Sequence, residues 1–277
     1  MGLYIERIVK ACKMGLDADK FLSPESGFWA GCPIPRVDLD TSAFVIFDDF
    51  TSLSLGDATG KWTLDNTNGS AVLTDCQLFD GTNEKLGGIV KVGTDGSLAE
   101  DFACMKVSST DTGAPFKITS NSGKKLWFAT KIYVSSITDC SYYVGLCDQT
   151  VTEPGADDTG AENFGVAQDG VYFRTLNASP TAIGWAHTKN GTETIKKAGI
   201  GTLTASTWIT LGLYFNGLTG VIPYIDGVAQ DYAIATGASN FPGGSTDQGL
   251  TPFFYVKEGA GTATYIYVDW IKCVQIR

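Results

Sequence analysis

Two segments carry the clearest hydrophobic pattern. Ile209, Leu211, Leu213 and Phe215 fall on one side of a candidate strand, with Trp208, Thr210, Gly212 and Tyr214 on the other. Leu126, Phe128, Ile132 and Val134 alternate in the same way with Trp127, Ala129, Lys131 and Tyr133. A period of two is the signature of a strand with one face on a core. Asn216-Gly217 and Asp226-Gly227 supply residues that tolerate positive φ in tight turns, so Thr207 to Gln230 is predicted to fold as a hairpin and a following turn.

The same character runs from Phe44 to the C-terminus. FVIFDDF is predicted as a first core strand, and Trp62–Leu64, Ala71–Phe79, Leu86–Val92, Phe102–Val107 and Ser141–Cys147 as further strands. GVYFRTL, AIGWAHT and ETIKK follow, separated by Asp169-Gly170, Ser179-Pro180 and Asn190-Gly191. TPFFYVK and TATYIYVDWIKCVQI end the chain; in the latter, Ile266, Val268, Trp270 and Val274 are expected on one face. Residues 148–163 read as a long loop. No composition break appears between 44 and 277, so one domain, 43–277, is expected after an N-terminal segment, 1–42.

That segment differs. Ile5, Ile8, Val9, Cys12 and Leu16 recur at helical spacing, predicting a short amphipathic helix. Pro24, Pro33 and Pro35 then break regular structure, yet Phe21, Phe28 and Trp29 are too apolar for a solvated linker. The arm needs a surface, either its own domain or another subunit. In the second case Ile5, Ile8, Val9, Phe21, Phe28 and Trp29 are its docking residues.

Composition narrows the class. With 43% hydrophobic and 18% charged residues, the chain can bury a sizeable core. The net charge of -10 disfavours a nucleic-acid partner. No stretch approaches the ~20 apolar residues of a membrane span, and the N-terminus lacks the apolar run and cleavage site of a signal peptide. Cysteines at 12, 32, 76, 104, 140, 147 and 273 show no paired ligand spacing and read as free thiols in a core.

Many strands with hairpin turns predict an all-β, antiparallel two-sheet jelly-roll sandwich. The pattern Trp208, Leu211, Leu213, Phe215, then Gly220, Tyr224, Asp226 and Gly227, resembles the late hairpin of concanavalin A-like lectin/glucanase jelly rolls, including laminin G-like modules. WFATKIYVSSITDCSYYVGLCD and YVDWIKCVQI resemble further strands of that fold. The resemblance implies a scaffold for residues 44 to 277, not an activity.

Candidate chemistry is sparse. Retaining glucanases of this fold carry Glu-x-Asp-x-x-Glu, because two carboxylates ~5 Å apart must act together; no glutamate here begins that pattern. The only histidine, His187, has no neighbouring nucleophile motif. Asp157, Asp158 and Glu162 form an acidic loop cluster for which calcium is the one ion to consider; otherwise no metal or cofactor is implied. Sugars stack on aromatic rings, and Trp185, Trp208, Tyr214 and Tyr224 are candidates to line a non-core face for glycans.

Taken together, a signal-less lectin-like sandwich with an apolar arm resembles a tailed-bacteriophage virion protein. The expectation is a non-enzymatic capsid decoration, cement or head-fibre protein, assembled in the host cytoplasm. Its expected partners are capsid or other virion proteins and further copies of itself in a homo-oligomer. The alternative is a carbohydrate-binding module for host glycans.

Overall fold

The computed structural model describes Phe28 and residues 43–53, 55, 61–66, 76–78, 88–96, 101–107, 114–148, 168–243, 249–259 and 261–277. The N-terminal helical pattern, the 148–163 loop beyond Asp148, the Asp157/Asp158/Glu162 cluster, and Ile5, Ile8, Val9, Phe21 and Trp29 lie outside these residues. Among the described residues, sixteen strands make two antiparallel sheets: β1 (Ala43–Asp48), β2 (Trp62–Asn66), β3 (Cys76–Leu78), β4 (Val90–Gly93), β5 (Phe102–Val107), β6 (Leu126–Val134), β7 (Cys140–Asp148), β8 (Gly170–Leu176), β9 (Ser179–Lys189), β10 (Thr192–Thr202), β11 (Ile209–Phe215), β12 (Gly220–Ile225), β13 (Val228–Ala229), β14 (Ile234–Ala235), β15 (Leu250–Glu258) and β16 (Tyr265–Ile276).

The nine-stranded sheet runs β13-β12-β11-β6-β16-β4-β3, with β1 also on β16 and β14 on β12; the seven-stranded sheet runs β10-β9-β8-β7-β15-β5-β2. Between them lies one apolar layer. Leu126, Phe128, Ile132, Ile209, Leu211, Leu213 and Phe215 enter it from the first sheet, and Met105, Tyr142, Val144, Phe173, Trp185, Phe254 and Val256 from the second. The alternation read in β6 and β11 is therefore the inward and outward faces of the nine-stranded sheet.

The turns are built as their residues dictate. Asn190 and Gly191 (φ 50° and 73°) close β9–β10, and Asp226 and Gly227 (φ 49° and 78°) close β12–β13. At β11–β12, Gly217 takes the positive φ (78°), while the Asn216 side chain accepts hydrogen bonds from the amides of Leu218 (2.8 Å), Thr219 (3.0 Å) and Gly220 (3.3 Å). Asn216 thus caps the loop instead of entering the left-handed region.

Two expectations need correction. Ile266, Val268, Trp270 and Val274 do not share a face. The register of β16 on β6 shifts between Val268 and Trp270, a β-bulge that adds one residue to one strand. Ile266 and Val268 therefore point into the core with Ile271 and Cys273, while Trp270 and Val274 lie on the outer side. The Thr130 hydroxyl donates to the Trp270 carbonyl at 2.8 Å, tying down the bulge. The seven-stranded sheet also departs from one-sided burial. All described positions of β5, β7 and β15 are buried, and the face turned away from the inter-sheet core is itself an apolar layer of Phe102, Cys104, Tyr143, Cys147, Tyr172, Phe253 and Tyr255.

Candidate functional site

The two outer faces offer different surfaces. On the seven-stranded sheet the covered layer holds Tyr143, Tyr172 and Tyr255 in mutual edge or tilted contact, with Tyr143 at 5.6 Å from Tyr172 and 5.4 Å from Tyr255. Its charged groups are internally matched. Glu193 on β10 accepts from the Tyr172 hydroxyl at 2.5 Å and pairs with Arg174 at 2.9 Å. Burial pushes the Glu193 carboxyl up, while the Arg174 charge and the Tyr172 hydrogen bond oppose that rise. Asp65 on β2 pairs with Lys106 at 2.7 Å.

That arrangement bears on glycoside hydrolysis, which needs two carboxyl groups ~5 to 9.5 Å apart. Glu193 and Asp65 are the carboxylates that the strand register places on this face among the described residues, and they sit on the two edge strands. Six strand spacings of ~4.8 Å put their backbones roughly 29 Å apart. Each is neutralised by its own cation, so the pair cannot divide acid and nucleophile duties.

The outer face of the nine-stranded sheet carries a partly open aromatic row. Tyr133 on β6 pairs with Tyr267 on β16, which pairs with Lys91 on β4, so register alone aligns these three across neighbouring strands. Trp208, immediately before β11, extends the row. Ring centroids are 5.4 Å apart for Trp208–Tyr133, 5.1 Å for Tyr133–Tyr267 and 6.2 Å for Tyr267–Tyr265. Lysines flank both ends: Lys131 Nζ lies 4.9 Å from the Trp208 ring centre and Lys91 Nζ 4.4 Å from that of Tyr265. Lys131 also donates to Asp269 at 2.6 Å, and that carboxylate sits in the bulge of β16. The bulge therefore places a charge pair beside the rings.

Two rows along the strands from Tyr133, beyond Lys131, the same face is covered. Tyr224, Gly212 and Ala129 lie side by side on β12, β11 and β6, and Tyr214 pairs with Trp127 in the next row. Phe28 of the arm packs here, 4.6 Å from Tyr224 in a T-shaped contact. It joins a cluster of Trp127, Ala129, Ala43 and Val274, with Tyr214, Trp270 and Ile276 at its margin.

The proposed sugar-binding residues therefore separate. Trp208, Tyr214 and Tyr224 do occupy the outer face, with Tyr214 and Tyr224 beside Phe28. Trp185 does not. It is fully buried between the sheets, 4.9 Å from Phe173, because Ile183, Trp185 and His187 form the inward parity of β9. Phe28, the one described residue of the arm, packs on the sheet of its own chain. Tyr133, Tyr265 and Tyr267 were missed as site residues. Their signal was present: Tyr133 shares parity with Lys131, and Tyr265 and Tyr267 alternate with inward Ile266 and Val268. His187 is also buried, its Nε2 3.0 Å from the Ser239 carbonyl and its ring 5.8 Å from Phe241, so it anchors the 236–243 loop to β9.

The sequence matches no protein-family model and no curated protein. Similarity appears among solved structures. An endo-acting O-glycanase from the human gut microbiota superimposes with TM-score 0.53 at 11% identity, over 84% of this chain and 99% of that one. The Bacteroides ovatus mixed linkage glucan GH16 protein, solved with product, gives 0.51 at 12% over 82% and 99%. The fold is a concanavalin A-like jelly roll. A Shewanella oneidensis protein of unknown function has the same architecture, with TM-score 0.52 and 17% identity over 86% of this chain and 88% of that one. At these identities the likeness establishes the concanavalin A-like scaffold and leaves activity to the residues on it.

Proposed function

We propose that this protein is a non-catalytic glycan-binding sandwich that recognises an extended polysaccharide along Trp208, Tyr133 and Tyr267. The observation that carries the reading is the partly exposed aromatic row, held in place by strand register and flanked by Lys131, Asp269 and Lys91. Sugar rings present C–H faces that pack on aromatic surfaces, and their hydroxyls need donors and acceptors at the edge. Lysine and aspartate supply both. The ring spacing follows from the ~4.8 Å strand separation, which favours a chain laid across the strands rather than along them. The scattered, neutralised carboxylates of the opposite sheet support binding over hydrolysis. The glycan chemistry of the O-glycanase and GH16 neighbours supports a sugar ligand by analogy alone.

The test is a polysaccharide and glycan array probed with the intact chain and with Trp208→Ala and Tyr267→Ala. At least one glycan class is expected to bind and to lose tenfold or more affinity in each variant, with thermal unfolding unchanged. Equal binding by the variants would reject this row as the site.

A second reading keeps the virion role: a capsid decoration or head-fibre protein that reaches its particle through the arm. It is favoured by the exposed apolar side chains of β1, Phe44, Val45 and Phe47, just after the arm. Deletion of residues 1–42 should then abolish stoichiometric copurification with particles. Normal decoration by the truncated sandwich would end this reading.

A further inference from the structure

The two ends of the aromatic row differ in charge. At the Trp208 end, Lys131 is already neutralised by the Asp269 carboxylate, 2.6 Å from its Nζ. At the other end, Lys91 has no carboxylate partner among the described residues. Its ammonium is held instead over the Tyr265 ring, 4.4 Å from the ring centre. That ring is itself fixed in place. Tyr265 pairs with Gly93, and a side-chain carbon added to Gly93 would meet the ring at 2.1 Å, so Tyr265 occupies the space that the glycine leaves. A cation–π contact orients an ammonium without cancelling its charge. Register then carries the row one strand further, because Lys91 on β4 pairs with Gln77 on β3, an exposed residue. From Trp208 to Lys91 is three strand spacings, or ~14 Å, the reach of an oligosaccharide rather than of one sugar.

We propose that the ligand of this row is a sparsely charged acidic polysaccharide. Neutral sugars lie on Trp208, Tyr133 and Tyr267, and the carboxylate or sulfate of a following sugar meets Lys91, with Gln77 beside it for the hydroxyls. The inference rests on the reading of this row as a glycan site and adds the charge of the ligand and the end at which that charge sits. A hydrogen bond from an ammonium to an anion is stronger than one to a neutral hydroxyl. Lysine presents a compact point charge with rotatable donors, so its geometry suits a carboxylate and a sulfate alike. That the charge is sparse follows from the rest of the molecule. The chain carries -10, and at physiological ionic strength charges more than about 8 Å apart are largely screened. An anion in contact with Lys91 therefore feels chiefly Lys91. A polymer charged on every sugar would lay its other anions along a row whose second flanking lysine is already paired, against an acidic protein. One unneutralised cation at one end selects one anion per bound segment.

The experiment is a polysaccharide array of matched pairs, each acidic polymer beside its carboxyl-reduced or desulfated form, with neutral polymers and polygalacturonate included. It is probed with the full-length chain and with Lys91→Gln, Lys91→Arg and Trp208→Ala. The tightest binders of wild type are expected to be acidic polymers with charge on a minority of their sugars. Removing that charge, or Lys91→Gln, should each lower affinity about fivefold, and the two together should lower it no further. Lys91→Arg should keep the preference, and neutral polymers should bind Lys91→Gln as they bind wild type. Loss from carboxyl-reduced forms alone, or from desulfated forms alone, identifies which anion Lys91 meets. Wild type that prefers neutral polymers, that binds polygalacturonate best, or that keeps its acidic preference in Lys91→Gln would overturn the inference while Trp208→Ala still weakens binding and the row stands. Binding that survives Trp208→Ala unchanged, or no binding to any polymer, would remove the row as a site and this inference with it.

Discussion

The outer faces of the two sheets are both rich in aromatic residues, yet they belong to different kinds of surface. On the seven-stranded sheet, Tyr143, Tyr172, Phe253 and Tyr255 are fully covered, and the charges among them are matched in pairs. On the nine-stranded sheet, Trp208, Tyr133, Tyr265 and Tyr267 keep part of their rings in solvent, with Lys131 and Asp269 alongside. Aromatic count does not separate them. What separates them is whether the rings and the charge pair beside them remain accessible: Lys131 and Asp269 are paired but partly open, while Arg174 and Glu193 are paired and buried. Substitutions on the first face should therefore change stability, and those on the second should change binding.

The largest expected effect is on the covered face. Glu193→Ala leaves the Arg174 guanidinium buried without its carboxylate, a change that costs about 3–5 kcal/mol. Chemical denaturation should show the loss, and glycan affinity of the remaining folded protein should be unchanged. Trp185→Ala, in the layer between the sheets, is expected to cost a similar ~3–5 kcal/mol by leaving a cavity. Trp208→Ala reverses the pattern, with less than about 1 kcal/mol of stability lost. If Trp208→Ala destabilises as strongly as Trp185→Ala, the contrast between buried and open aromatic residues is wrong.

A smaller effect concerns pH. Burial holds the His187 imidazole below its ordinary value of 6.5; the hydrogen bond to the Ser239 carbonyl opposes this and the Lys196 charge adds to it. Because the folded value is the lower one, the unfolded chain takes up the proton first. Stability should fall as pH drops through 6.5 toward the folded value and level off below it. Melting temperatures compared between about pH 7.5 and 5.5 should decline more for wild type than for His187→Gln. The smallest effect is at the half-exposed pair: Lys131→Ala should alter stability by about 0–1 kcal/mol, less at high salt.

The contrast also explains what was legible beforehand. Parity placed Trp208 opposite Ile209, Leu211, Leu213 and Phe215, and the structure keeps it there. The same reading applied to AIGWAHT would have moved Trp185 inward, since Gly184, Ala186 and Thr188 leave only small groups on the other side. The hairpins at Asn190-Gly191 and Asp226-Gly227 were readable because their backbone demands special residues. The bulge at Asp269 was not. One inserted residue flips every later side chain, and nothing local in YVDWIKC marks it. The covered layer of β5, β7 and β15 was equally hidden, because a strand buried on both faces shows no alternation. The aromatic row spans three distant segments, and only strand pairing brings Trp208, Tyr133 and Tyr267 together.

The most direct measurement is oxidative footprinting of the full-length protein with and without a glycan that binds it. Protection of Trp208, Tyr133 and Tyr267, with Trp185 and Tyr172 unreactive in both states, is the expected result. Protection confined to residues off the nine-stranded sheet, with Trp208 and Tyr267 reacting as before, would contradict the assignment of this face to glycan recognition.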